Sequence, residues 1–307
     1  MPDDTKAPAW MDLSAGALSG TIAVFAGGSV ASPLTRASLI LRIQDAHPLV
    51  RSGAVKPYAG TRDFLTRIRT EQGLSSWWRG FGTEMAVAFP KKFITRAWQF
   101  AAKDTLRSVL PRYDPSKDTL GFAAVNVLSG GLAGLVPMAI LFPLDHALFR
   151  IRTDVGPGPR APASASIGSF FKTVTPDKWY TGFGISLPAI FVFRGAYFGV
   201  NDTLAALNPY KNQRDLMGLA SKFTTAQIAS VSASFAGYPL SVVVSRLRLQ
   251  CDAPPSERPY RGTLHCFTEI ARREGARGFW KGFTATWMSQ IGSAVALVAY
   301  GEVQRFL

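Results

Sequence analysis

Three arginines of this chain stand at the same distance from three prolines. Arg42, Arg152 and Arg248 each lie nine residues after a proline that is followed by leucine. The three proline sites are Ser32-Pro33-Leu34, Phe142-Pro143-Leu144 and Tyr238-Pro239-Leu240. A guanidinium group is permanently charged and matches the geometry of carboxylates and phosphates. The spacing therefore predicts three cations at one level of a repeated structure, where they bind anions or form ion pairs.

The prolines lie within long apolar stretches, and these stretches must position the arginines. Six stretches are long enough to cross a bilayer core of about 30 Å: roughly Leu13–Ile43, Phe81–Val109, Leu120–Ile151, Phe183–Leu207, Leu216–Leu249 and Phe283–Phe306. A proline inside a helix removes one backbone hydrogen bond and kinks the helix. We expect a single domain, residues 1–307, with repeats at about residues 11–115, 116–210 and 211–307.

The composition is that of a membrane protein with basic faces. Hydrophobic residues make up 47% and charged residues 18%, yet the formal net charge is +14. We expect the positive charge to contact anionic membrane lipids rather than nucleic acid, because the basic residues are dispersed among apolar stretches and no nucleic-acid-binding motif is present. Enzymatic catalysis has no support, since the three histidines fall in separate repeats and no nucleophile–base pair is visible. We predict no metal site and no cofactor other than bound lipid.

Each repeat also contains an aromatic residue two positions before a glycine. These elements are Trp78-Arg79-Gly80, Tyr180-Thr181-Gly182 and Trp280-Lys281-Gly282. Together with the proline motifs they make the chain resemble the mitochondrial carrier family, and within it the ADP/ATP carriers. The resemblance implies an all-α membrane protein of six transmembrane helices in three pseudo-threefold repeats, with short helices on the matrix surface. It also implies a multi-pass protein of the mitochondrial inner membrane.

The linkers within the repeats contain amphipathic segments. Thr61–Thr70 places Phe64, Leu65 and Ile68 on one face, and Thr263–Arg273 does the same with Leu264, Phe267 and Ile270. We expect both segments to form helices along the membrane surface. The middle linker contains prolines and glycines between residues 156 and 159, so we expect a weaker helix there.

The resemblance implies that cardiolipin binds where glycines open helices. The positive end of the helix dipole and its free N–H groups attract phosphate. The predicted lipid-binding residues are Gly60, Trp78, Arg79, Gly80, Tyr180, Gly182, Gly262, Trp280, Lys281 and Gly282. The alternative is that each element is only an interfacial anchor at a helix start, which explains each one singly.

The resemblance also locates a gate. Carriers of this family pair an acid two residues after one proline with a base five residues after the proline of a neighbouring repeat. The corresponding residues here are Thr35, Ser38, Asp145, Leu148, Ser241 and Val244. Only Asp145 is charged, so we expect no ion pair at these positions. Arg42, Arg152 and Arg248 lie one turn further on, and we expect them to repel one another and oppose closure unless an anion or an acidic partner lies between them. The alternative is that they extend to the lipid headgroups.

The cavity positions are also changed. The basic phosphate ligands of the ADP/ATP carriers correspond to Gly28, Val87 and Ser289, and the retained cavity candidates are Ile190, Phe193, Arg194 and Tyr197. Lys91 and Arg96 add positive charge if the second helix is registered from Asp104 instead of Pro90. At the opposite, cytoplasmic end we predict a second ionic network of Asp104, Arg107, Asp202 and Glu302.

Two functions compete. In the first, the chain is a degenerate carrier that serves as a structural or accessory subunit of a respiratory-chain or ATP-synthase complex. In the second, it is a working carrier that exchanges ADP and ATP, or a related anionic nucleotide, by alternating access. The sequence favours the first, because the gate ion pairs and the phosphate ligands are both lost. With Arg194 as the one certain cavity arginine, a bound tri-anion would be left largely unpaired. Slow ADP/ATP exchange and insensitivity to carrier inhibitors are the corresponding expectations.

Overall fold

The computed structural model describes residues 9–109, 119–155, 166–210, 216–251 and 253–292, and no β-strand occurs within these ranges. The helices, in chain order, are α1 (Ala9–Ile43), α2 (Pro48–Arg51), α3 (Thr61–Gln72), α4 (Phe81–Val109), α5 (Thr119–Thr153), α6 (Ile167–Thr173), α7 (Phe183–Leu207), α8 (Leu216–Leu249), α9 (Thr263–Glu274) and α10 (residues 283–292). The described part of α10 ends at residue 292.

The long helices coincide with the predicted apolar stretches. Phe81–Val109, Phe183–Leu207 and Leu216–Leu249 are helical over their full predicted lengths. The shortest of the five long helices described in full, α7, has 25 residues, which at about 1.5 Å per residue exceeds a bilayer core. Judged by length and apolar composition alone, Pro176–Leu207 and Ala220–Leu249 are the two candidate membrane spans in the described ranges.

The repeat prolines interrupt the hydrogen-bond ladders of α1, α5 and α8, as predicted. A proline leaves the carbonyl four residues before it without its usual helical donor. The Trp78 indole donates to the carbonyl of Ser29 at 2.7 Å, and the Tyr180 hydroxyl donates to that of Ala139 at 3.0 Å. Each of these aromatic residues therefore satisfies the carbonyl that the proline of its own repeat has freed.

The linkers fold as short helices, and one detail differs from the prediction. Phe64 and Ile68 of α3 and Ile270 of α9 are fully buried. Leu264 was assigned to the same apolar face but is 81% exposed, while Cys266 is buried instead. The reason is tertiary packing, because α9 turns the Cys266–Ile270 side toward the bundle. The middle linker helix, α6, has only seven residues, as the weaker pattern predicted.

Glutamine side chains fix the first and third linkers in the same way. Gln44 accepts from the Tyr58 backbone N–H at 2.9 Å and donates to the Tyr58 carbonyl at 3.2 Å. Gln250 makes the equivalent bonds with Tyr260, at 3.0 and 2.7 Å. We refer to the end of the bundle that carries α3, α6 and α9 as the linker end.

Candidate functional site

A cavity of about 720 Å³ opens between α1, α5, α7 and α8, just inside the linker end. Its charged lining residues are Arg42, Asp145, Arg194 and Arg248. Three guanidinium groups against one carboxylate make the lining positive. Serine hydroxyls from Ser186, Ser241 and Ser245 add hydrogen-bonding groups.

One wall of the cavity is aromatic and apolar. Ile190, Phe193, Arg194 and Tyr197 all line the cavity, because spacings of three, four and seven residues share one face of α7. The rings of Phe193 and Tyr197 stack with centroids 6.4 Å apart and planes inclined by 10°. The structure thus brings four of the six predicted cavity residues together. The wall offers a flat apolar surface beside a cation.

The other two predicted cavity residues lie elsewhere. The ammonium group of Lys91, on α4, forms an ion pair with the carboxylate of Asp145, on α5. The side chain of Arg96 is exposed and is not among the residues that line the cavity. Asp145 therefore has an ionic partner, although this partner is not one of the six gate positions. Lys91 of α4 thus takes the place of the base that carriers of this family provide five residues after a proline.

Each of the three repeat arginines contacts a side chain of a neighbouring repeat, so they do not form the unpartnered ring that was expected to repel. The Arg42 guanidinium lies 4.6 Å from the centroid of the Tyr238 ring, and that of Arg248 lies 4.3 Å from the Phe142 centroid. Arg152 forms an ion pair with Glu84 of α4. Every arginine has a separate partner, because each reaches across to a different neighbouring repeat.

Comparison with known proteins places the chain in a family. The sequence model described as "Mitochondrial carrier protein" matches residues 5–114, 121–211 and 216–307. The chain belongs to the mitochondrial carrier family. It is 36% identical to the "ADP,ATP carrier protein" of Parachlorella kessleri over 299 residues, which is 96% of this chain and 84% of that protein. It is also 31% identical to "ADP/ATP translocase 4" of Mus musculus over 295 residues, 94% of this chain and 89% of that protein.

Two of the three positions that the resemblance matches to phosphate ligands, Gly28 and Ser289, pack against neighbouring groups instead. A Cβ at Gly28 would lie 2.6 Å from the Phe81 ring, so a longer side chain there would require this ring to move. Ser289 is buried and its hydroxyl donates to the carbonyl of Thr286 at 2.8 Å. Positive charge in this carrier comes from Arg42 and Arg248 instead. Sequence reasoning assigned both to the gate, because residue spacing does not show that they line the cavity.

The five glycines predicted to open helices do so. Gly60, Gly80, Gly182, Gly262 and Gly282 immediately precede α3, α4, α7, α9 and α10. Their conformations form two classes. Gly80, Gly182 and Gly282 have positive φ angles of 82°, 84° and 82°, whereas Gly60 and Gly262 are extended, with nothing within 4 Å of an added Cβ.

The basic residues beside two of these glycines are paired with acids of the next repeat. The Arg79 guanidinium lies 3.2 Å from the Asp154 carboxylate, and the Lys281 ammonium lies 2.7 Å from that of Asp45. Arg79 and Lys281 were predicted to bind lipid, and here they join repeats. Trp280, also predicted to bind lipid, stacks on Phe235 with ring centroids 5.4 Å apart.

The predicted cytoplasmic network is only partly described. Asp202, on α7, is exposed and accepts a hydrogen bond from the Asn201 amide at 3.3 Å. Asp104 and Arg107 belong to α4, but their side chains lie outside the described part of the chain, as does the whole of Glu302. The network remains a prediction.

Sequence reasoning missed a buried ionic cluster at the linker end. Arg246 has no exposed side-chain surface and binds both carboxylate oxygens of Glu274, one of them at 2.8 Å. Lys281 lies 2.8 Å from Glu274, and Asp45 lies 3.5 Å from Arg246. Burial by itself raises the pKa of Glu274, but hydrogen bonds from Arg246 and Lys281 outweigh it and lower the pKa to about 2. The one available signal was the Glu274-Gly275 pair, which directly follows the amphipathic segment of the third linker.

Arg36 is a second buried arginine that was missed. It is 1% exposed and donates to the carbonyls of Arg152 and Asp154, at 3.2 and 2.8 Å, and to that of Ser76. These bonds join α1 to the first linker and to the end of α5. The linker end is therefore held by charged side chains as well as by apolar contacts.

Proposed function

We propose that this carrier exchanges adenine nucleotides, or anions of the same class, across the mitochondrial inner membrane. Its long helices would cross that membrane several times, and substrate would bind in the cavity between them. The relatives named as ADP/ATP carriers and translocases support this substrate class. Alternating access would then expose the cavity to one side at a time.

One observation carries the proposal: Arg42, Arg194 and Arg248 line the same cavity as the Phe193–Tyr197 stack. Guanidinium groups form strong, directional hydrogen bonds with phosphate oxygens. The stacked rings give an adenine base an apolar face to lie against. The volume of about 720 Å³ lies within the range of about 300–1,000 Å³ that is usual for small-molecule sites.

The sequence argument for an accessory subunit depended on the loss of the gate ion pairs together with the loss of the phosphate ligands, which left a single certain cavity arginine. With three arginines in the cavity, a polyphosphate no longer has to leave most of its charge unpaired. The family and the relatives also favour a transporter over a structural subunit. The phosphate ligands nevertheless differ from those of the ADP/ATP carriers, so slow exchange and inhibitor insensitivity stay predictions.

Exchange in liposomes tests the proposal. Protein reconstituted with internal ADP should take up labelled ATP, and Arg194→Ala should reduce the initial rate about tenfold or more, since a charge-assisted hydrogen bond contributes about 1.5–3 kcal/mol. Arg62→Ala, which removes an exposed arginine on α3, is the matched control and should leave the rate unchanged. No uptake by any variant, together with stoichiometric copurification with a respiratory-chain or ATP-synthase complex, would instead establish the accessory function.

We also propose that cardiolipin phosphates bind at the glycines that open the helices, as the resemblance implied. Gly60 and Gly262 provide the clean test, because their extended backbone and open surroundings accept a side chain. Gly60→Leu together with Gly262→Leu should lower the cardiolipin retained in native mass spectrometry without lowering the unfolding temperature. Gly168→Leu on α6 is the control. Equal retention in all three proteins would contradict lipid binding at these sites.

A further inference from the structure

The three repeat arginines bind neighbouring repeats in a closed cycle. The first repeat reaches the third, the third reaches the second, and the second reaches the first. The contacts, which we call the arginine latch, are Arg42 with Tyr238, Arg248 with Phe142, and Arg152 with Glu84. Each contact joins helices of two different repeats at the linker end. The latch lies in the region where the family's gate residues are uncharged here.

Two of the three latch partners occupy the same position in their repeats, and the third partner is a residue of a different kind at a different position. Phe142 and Tyr238 both stand immediately before a repeat proline, and Ser32 occupies this position in the first repeat. Serine offers no ring for a guanidinium to bind. The arginine that reaches the first repeat, Arg152, binds the carboxylate of Glu84 instead. A charge therefore substitutes for the missing aromatic face.

The motif glycines leave room for the arginine side chains. A Cβ at Gly80 would lie 2.7 Å from Cγ of Arg152, and one at Gly182 would lie 3.6 Å from Cγ of Arg248. Both glycines belong to the repeat that the arginine reaches. The stems of these two arginines thus run along the backbone of the neighbouring repeat, which fixes where their charged ends lie.

Two of the latch arginines have a buried Nε–H group without an acceptor. Nε of Arg42 and Nε of Arg248 are buried and have no acceptor among the described residues. Both arginines line the cavity. Buried donors in proteins are almost always paired, so these two side chains would gain acceptors by moving to bind an anion in the cavity.

We propose that the arginine latch closes the linker end of the bundle and that an anion bound in the cavity releases it. A phosphate forms charge-assisted hydrogen bonds with a guanidinium, which bind it more strongly than an aromatic ring does. Binding therefore favours the arrangement in which Arg42 and Arg248 have left their rings, and this differential affinity shifts the equilibrium toward opening. The release step rests on the proposed function, whereas closure by the latch does not.

Thiol labelling from the linker side measures closure directly. The reporter is Val244→Cys, which lines the cavity and is buried, in a chain whose two native cysteines are replaced by alanine. Inverted inner-membrane vesicles present the linker end to a membrane-impermeant maleimide. With the latch intact we expect slow labelling. Tyr238→Leu should accelerate it roughly tenfold, the ratio that corresponds to about 1.4 kcal/mol.

Matched variants separate the latch from general loosening of the bundle. Tyr238→Phe keeps the ring and loses only the hydroxyl, so its labelling rate should stay low. Arg248→Gln removes the charge and leaves the Phe142 ring packed against Tyr180 and Phe183. This variant should accelerate labelling. Glu84→Gln should do the same at the third contact. Phe89→Leu, an exposed ring of α4, is the negative control, and size-exclusion profiles confirm that each variant is folded.

The two halves of the proposal fail separately. Unchanged labelling in Tyr238→Leu, Arg248→Gln and Glu84→Gln would overturn the latch, whatever the transport assay shows. With the latch intact, added ADP should accelerate labelling of the reporter. If the three variants open the linker end but ADP has no effect, closure by the latch stands and release by nucleotide is wrong. Absence of ADP/ATP exchange in liposomes would then overturn the proposed function independently.

Discussion

Replacing Glu274 by alanine is expected to lower the free energy of unfolding by about 3–5 kcal/mol, because it leaves a buried charge without its main partner. Arg246 has no exposed surface, and Glu274 binds it through both carboxylate oxygens. The remaining acid near Arg246, Asp45, lies 3.5 Å away and is shared with Lys281. Asp45 alone does not satisfy the guanidinium group.

The unfolding of detergent-solubilised protein can be followed with a thiol-reactive dye. Both native cysteines, Cys251 and Cys266, are buried, and burial raises the pKa of the Cys266 thiol to about 12. They should react only when the chain unfolds. We expect the unfolding temperature of Glu274→Ala to fall by roughly 10 °C.

The matched control lies on the same helix. Glu269 pairs with Arg273, whose side chain is 72% exposed, and such surface pairs contribute about 1 kcal/mol or less. Glu269→Ala should therefore shift the unfolding temperature by only a few degrees. Equal shifts of the unfolding temperature in the two variants would contradict the prediction, because the buried pair would then contribute no more stability than the surface pair.

The same cluster predicts a pH dependence with a definite sign. The folded-state pKa of Glu274 is about 2, below its ordinary value, so the folded chain holds this carboxylate ionised more strongly than the unfolded chain does. Its contribution is complete above the ordinary pKa of about 4.3 for glutamate and is lost as the pH falls toward 2. Unfolding temperatures from pH 7 to pH 3 should fall less steeply in Glu274→Gln than in the unsubstituted carrier.

The helices were predictable because their limits are local. Gly80 and Gly182 have left-handed backbone conformations directly before α4 and α7, and glycine is the residue that adopts such conformations without strain. The apolar stretches that follow are long enough to identify from composition. The fold class, and the location of the repeat prolines inside helices, could be predicted from similar short-range patterns.

The partners of the charged residues were not predictable in the same way. Arg42 and Tyr238 are far apart in sequence, and their contact depends on how α1 and α8 pack. Spacing fixes the face of a helix on which a residue lies, but it does not fix which neighbour that face meets. Lys91 shows the same limit, because its pairing with Asp145 depends on the position of α4 along α5.

The last expected result concerns Gly282, where alanine should lower the free energy of unfolding by about 3 kcal/mol or more. Its φ angle is +82°, and a non-glycine residue held in a sparsely populated backbone region costs about 1–3 kcal/mol. The added Cβ would also lie 2.6 Å from the backbone carbonyl oxygen of Ser38. That oxygen belongs to α1 and moves only if the helix moves, so overpacking adds roughly 1–3 kcal/mol.

Gly262→Ala is the control in the same repeat, and the thiol-dye assay compares the two. Gly262 also precedes a helix, but its φ angle is 178° and nothing lies within 4 Å of an added Cβ. Alanine there should leave the unfolding temperature nearly unchanged. A similar loss at both positions would mean that the helix start itself requires glycine. A loss confined to Gly282 means that its left-handed backbone and its close contact with α1, where Ser38 lies one turn before Arg42, together exclude a side chain.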